Sequence, residues 1–325
     1  SDPAKVGEIK LAYPSDSPSS PYTQLFRHWR GGTLESFYQQ YPYKVSPVYD
    51  DRPFFFEDTK WENALMSEVR RDRPADDMQD FARGNWAIFT LLMLVLQVAV
   101  AVILFIIIPL LGFKKEGLTM RGSWHFVAYF LAIGIGFMFI EISFMQKLVL
   151  FLGHPIYSIA LVLSSILLFS GLGSLVSGFV RTAKLALIAV AVSAIVLLLA
   201  VCFFFFDDLF RSFSGSSSFV KIQVSLAILA PLGFFMGMPF PSGLTILKQR
   251  ARYESLIPWA WGINAGASIL ASVISIIFAI ELGFSFVMLL AAVIYALGSL
   301  VFIIGNARRR HPALDHGGMP LSAPT

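Results

Sequence analysis

The stretch LALIAVAVSAIVLLLAVCFFFF, Leu185–Phe206, holds 22 residues without a charge, and Ser193 is its one hydroxyl. About 20 apolar residues, each rising 1.5 Å in a helix, cross a hydrocarbon core of roughly 30 Å. A soluble helix this apolar would need burial on every side along its whole length. Six further runs repeat the pattern: Trp86–Leu111, Trp124–Leu150, Tyr157–Val180, Ile222–Leu247, Leu256–Ile280 and Leu282–Ile304. One soluble core cannot absorb seven such helices. The chain therefore reads as an all-α polytopic membrane protein with about seven transmembrane helices, preceded by a short polar extramembrane segment. The last two runs are separated by little more than Glu281 and Gly283, which predicts a tight helical hairpin.

Composition agrees. Of 325 residues, 56% are hydrophobic and only 14% charged, against about a quarter charged in a soluble domain. Residues 1–85 carry a net charge of −3 and residues 86–325 of +7. A purely soluble enzyme and a disordered protein are excluded, and Cys202, the single cysteine, excludes a disulfide scaffold. The basic residues sit in particular loops. Lys114, Lys115, Arg121, Arg181, Lys184, Lys248, Arg250, Arg252 and Arg308–Arg310 fall on one side, eleven in all. Lys147, Arg211, Lys221, Arg83, Arg70, Arg71 and Arg73 make seven on the other. The positive-inside rule then puts the C-terminus in the cytoplasm and, with seven spans, the N-terminal segment outside it, in the cell (inner) membrane. The expected partners are the lipid bilayer and other membrane or extracytoplasmic subunits, with no nucleic acid.

The sequence divides into an extramembrane segment, 1–58, an interfacial amphipathic segment, 59–85, a membrane domain, 86–306, and a basic tail, 307–325. Ser1 and the Pro/Ser-rich opening read as a linker cut from something larger. Phe26, Trp29, Phe37 and Tyr38 are placed to cover one helical face, and Pro74 to interrupt the amphipathic segment. In PVYDDRPFFF, Pro47–Phe56, prolines hold the chain extended. Arg52 beside Asp50 and Asp51 suggests a charge-assisted pair; paired aspartates also suit a metal or a cationic substrate. Because adjacent residues of an extended chain face opposite ways, the structural reading is preferred and no metal site is expected.

Within the spans, Glu141 is the one carboxylate well inside, about 26 Å along the helix from Trp124. Such a group is costly and points either to a proton or cation site or to a hydrogen bond inside the bundle, with Gln223 a candidate partner. His154 in Gly153-His154-Pro155 reads as a cap. No span carries mid-depth histidines for haem, and no cofactor is expected. Gly237–Gly243, GMPFPSG, brings Pro239 and Pro241 into the fifth span, where they break the helix ladder. Transporters build solute sites from such breaks; a packing kink is the other reading. Gly262 and Gly266 form a GxxxG beside Asn264 and Ser268, and Gly171, Gly173 and Gly178 close the third span. These small residues converge at one depth, as a packed core or a gate.

Together the Asp50–Phe56 segment, the Glu141 span running into Gly153–Pro155, and the Gly171–Gly178, Gly237–Gly243 and Pro258–Ser268 motifs resemble the integral-membrane spermidine synthase-like proteins. The resemblance covers roughly residues 45–283. It implies a transferase-like domain joined to transporter-like spans, with Asp50, Asp51 and Arg52 at the junction. No Gly-rich nucleotide loop and no acidic pair of a polyamine pocket stands here, so no catalytic residue transfers. Three functions follow as expectations: an anchor or scaffold module of such a protein or of a larger complex, without its own catalytic site; a transporter or gate for a small, cationic solute; and an S-adenosylmethionine-type transferase whose catalytic domain is not in this chain.

Overall fold

The computed structural model describes residues 21–41, 45, 50–53, 75–114, 123–180 and 182–307. No strand occurs among them, and seven helical spans are long and apolar enough to cross a membrane. The chain is a multi-pass membrane protein.

The polar segment forms α1 (Pro21–Arg30) and α2 (Leu34–Gln40). The two are separate because Gly32 turns the chain at a φ of +67°. That turn corrects the expectation of one aromatic face: Phe37 is buried against His28, Tyr38 and Tyr41, while Phe26 and Trp29 stay exposed. α3 (Ala75–Val102) is one continuous helix across the expected boundary at Trp86. Pro74 and the rest of the amphipathic segment before it lie outside the described residues. A π-helical turn at Ile103–Ile107 leads into α4 (Ile108–Lys114). The wider turn, closed by Ile108 N–H on the Ile103 carbonyl, accommodates Pro109, which has no amide hydrogen to return to Phe105.

The remaining helices are α5 (Trp124–Leu152), α6 (Pro155–Phe179), α7 (Lys184–Phe213), α8 (Ser218–Met236), α9 (Pro239–Lys248), α10 (Ile257–Leu282) and α11 (Phe284–Ala307). Gly153 in the left-handed region ends α5, its N–H on the Val149 carbonyl, and Pro155 opens α6 with His154 at the cap position. Gly283, at a φ of +88°, makes the α10–α11 hairpin turn. α5 is the central helix: 61% of its most apolar stretch is buried, against 6% in the first span, and it packs on α10, α11 and α6. The contacts are close. A β-carbon on Gly136 would meet the Tyr295 ring, and one on Gly298 the Ala132 side chain. α7 runs well past its apolar stretch through Asp207, Asp208 and Arg211, because Phe210 stacks on Phe151 at 3.9 Å and Phe206 lies edge-on to Phe144.

Candidate functional site

The fifth span is broken. α8 stops at Met236 and α9 starts at Pro239, with Gly237 and Met238 between them. Pro239 and Pro241 cannot donate to the ladder. The Phe235 carbonyl instead accepts from Met238 N–H at 3.3 Å, and Tyr129 donates to the Pro239 carbonyl at 2.8 Å. The Gly237 carbonyl, which Pro241 would serve in a continuous helix, receives no hydrogen bond from any described residue.

Beside this break lies a groove of about 410 Å³. α5 forms its floor through Phe137 and Met138, and α6, the break and α10 form its walls. α6 and α10 both pack on α5 but hardly on each other, which leaves the groove open between them. Its polar lining consists of Ser170, Ser174, Asn264 and Ser268, together with Gly171, Gly237 and Pro241; no lining residue is ionisable. Three of the five side-chain donor hydrogens of this lining are spent within the protein. Asn264 Nδ2 donates to the Phe130 carbonyl, Ser268 Oγ to the Gly134 carbonyl and Ser170 Oγ to the Leu167 carbonyl, each at 3.2 Å. What remains for a ligand is the acceptor capacity of Asn264 Oδ1, the hydroxyl lone pairs and the Gly237 carbonyl, beside two donors, the second Asn264 amide hydrogen and the Ser174 hydroxyl.

The small residues divide by role. Gly173 and Gly237 let α6 and α8 touch backbone to backbone: a β-carbon would collide with the Phe234 carbonyl at Gly173 and with the Ser170 backbone at Gly237. Gly262 and Gly266 face Ile106, Leu110 and Val102 of the first span, while Asn264 and Ser268 turn to α5. Gly243 lies under the Tyr129 and Phe130 rings. Gly171 and Gly178 depart from the expected packing role: a β-carbon there meets nothing within 4 Å among the described residues, and Gly171 lines the groove instead.

Glu141 is 8% exposed and makes no hydrogen bond or ion pair with any described residue. Gln223 is not its partner, since it faces outward from α8 and is exposed. Glu141 follows Phe137 by four positions and Met138 by three, which puts it one turn beyond the groove on the same α5 face.

At the Leu152 end of α5 the junction motif is docked. Asp51 Oδ1 accepts from Lys147 Nζ at 2.8 Å, Ser285 N–H at 2.9 Å and Ser285 Oγ at 2.7 Å, while its backbone carbonyl accepts from Phe284 N–H at 3.1 Å. Asp51 thus caps α11. Arg52 pairs with neither aspartate; it and Asp50 are exposed. Burial works against the Asp51 carboxylate. The hydrogen bonds from Lys147 and Ser285 and the Lys147 charge outweigh it, holding the group below the usual aspartate range. Lys147, assigned to a loop by its sequence position, is a buried residue of α5 lying over the Phe206 ring, and Arg211 belongs to α7. A cation inside an apolar helix calls for a counter-ion, and that signal, joined to the aspartate pair, was present in the sequence. Ser170 and Ser285 carried no such signal.

No protein-family model, curated protein or solved structure matches this chain.

Proposed function

We propose that this chain is a membrane module that admits a small, donor-bearing cationic solute to the groove at the broken span, as part of an integral-membrane spermidine synthase-like protein. The groove carries the reading: about 410 Å³ of space beside a helix break, where Ser170, Asn264 and Ser268 each already donate to a backbone carbonyl and present oxygen lone pairs. An ammonium or amide N–H is the chemical complement of such a lining. With the basic loops cytoplasmic, the break lies toward the inner face of the cell membrane and Glu141 toward the outer.

The experiment is uptake of n-butylammonium by vesicles holding the purified chain. Gly171→Phe has room for its β-carbon and fills the groove with a ring; Asn264→Leu removes its main polar group. Each lowers uptake about tenfold or more, the equivalent of about 1.4 kcal/mol of binding. Uptake equal to wild type in both variants rejects the groove as the solute site.

A second reading, an anchor for an extramembrane domain or for other subunits, is favoured by the Asp51 clamp. That clamp ties Asp51 itself to α5 and α11.

A further inference from the structure

Glu141 lies 17 residues into α5, and the helices packed on α5 offer it no counter-charge. α6 and α11 contain no charged residue; α10 has only Glu281, at its far end; α8 has only Lys221, set over the Phe151 ring; α9 has only Lys248. On α5 itself, Lys147 is committed to Asp51. α7, whose Phe206 and Phe210 meet α5, carries Lys184 at its start, the thiol Cys202, and Asp207, Asp208 and Arg211 beyond its apolar stretch, where Asp207 lies 3.9 Å from Lys147. Two phenols face α5, Tyr295 opposite Gly136 and Tyr253 beside Phe126, and α5 itself holds Tyr129, which donates to the Pro239 carbonyl, and His125 near the Trp124 end. A bare carboxylate at this depth is costly. A bound proton or a bound cation removes the charge. A metal ion needs several converging oxygens, commonly six or more. Among the described residues no group of three or more His, Cys, Asp or Glu could hold one. A proton needs no further ligand, and an organic cation in the groove lies about one helical turn away.

We infer that Glu141 is a proton-binding site that exchanges its proton for the cation entering the groove, an inference that rests on the groove reading above. In the exchange the carboxyl O–H bond breaks and its electron pair stays on oxygen. The proton leaves to water, and the carboxylate takes the positive charge of the ammonium. Reprotonation releases the cation. One carboxylate holds one or the other, so one proton moves for each positive charge bound, and a proton gradient drives the solute.

Infrared difference spectroscopy of the full chain in vesicles, acid against alkaline, tests the site without a ligand. A protonated-carboxyl C=O band titrates in wild type and is lost in Glu141→Gln, whose unchanged or raised Tm shows that it folds. Superposable spectra for the two proteins overturn the inference. At fixed pH, n-butylammonium bleaches the band and releases one proton per amine bound, read with an indicator dye; Glu141→Gln releases none. A band that titrates with pH but does not bleach overturns the exchange. In that case the vesicle uptake measurement decides separately: uptake that persists leaves the groove reading standing, and absent uptake removes it too.

Discussion

Asp51 is read by three donors at a single oxygen, one of them the ammonium of a buried lysine, while its carbonyl holds the first turn of α11. Removing the charge leaves the buried Lys147 with only the largely exposed Asp207, whose Oδ1 is 3.9 Å away, as counter-ion. Asp51→Asn therefore lowers stability by about 2 kcal/mol near neutral pH. The sign of the pH effect follows from the depressed folded-state value. The stabilisation is complete above the ordinary aspartate range, about 4, and is lost as pH falls through the lower folded value. Thermal melts in detergent should show wild type and Asp51→Asn converging as the pH drops below about 4; equal melts at pH 7 would refute the clamp. Asp50 and Arg52, both exposed, should tolerate alanine. The clamp was only half legible in the sequence. The motif stands out locally, but Lys147 and Ser285 lie 96 and 234 residues away, and nothing in local spacing selects them.

The elements were easier to read, for a physical reason. A bilayer imposes a length and an apolar composition on each span independently of its neighbours, so seven stretches declare themselves one by one. What a neighbour decides was not visible. α7 is extended by the stacking of Phe210 on Phe151, and the expected packing glycines differ in surroundings that only the bundle supplies. Gly173 and Gly178 lie five positions apart on α6, yet the first abuts the Phe234 carbonyl and the second meets open space. Without a hydrophobic drive between helices in lipid, such close approach is a main source of cohesion. Gly173→Val should push α6 from α8 and cost about 2–3 kcal/mol, with a lowered detergent-resistance midpoint. Gly178→Val should stay near wild type in the same assay. Equal loss in both would mean that the α6–α8 crossing does not depend on the glycine contact. The groove was partly foreseen through Gly171, Gly237, Pro241 and Asn264, because a break and small residues at one depth leave space; its Ser170 and Met138 were not.

For the molecule as a whole, sidedness sets the direction in which groove and carboxyl would work. Two of the basic residues in that count, one on each side, are structural: Lys184 donates to the Ser177 carbonyl at 2.5 Å, and Lys147 is buried against Asp51. Setting one aside on each side leaves ten against six, so the bias survives. On that bias the turn between α7 and α8 is expected outside the cytoplasm and the exit from α9 within it. Cys202 is the only cysteine and is buried, so Cys202→Ala supplies a background for single-cysteine mapping. In that background Gly215→Cys should react in intact cells with a membrane-impermeant maleimide, and Gln249→Cys only after permeabilisation; both positions are exposed. The reverse pattern would refute the assignment and place the broken span at the outer face. Glu141 would then lie on the cytoplasmic side of the groove, so a solute arriving from outside would meet the acceptor lining first and the carboxyl last. A proton gradient of a given sign would still drive the cation in the same direction, because exchange depends on the gradient and not on the order of the groups. The order would instead decide which side's pH sets the protonation of Glu141 while the groove is empty, and uptake rates measured while each face is titrated separately would show it.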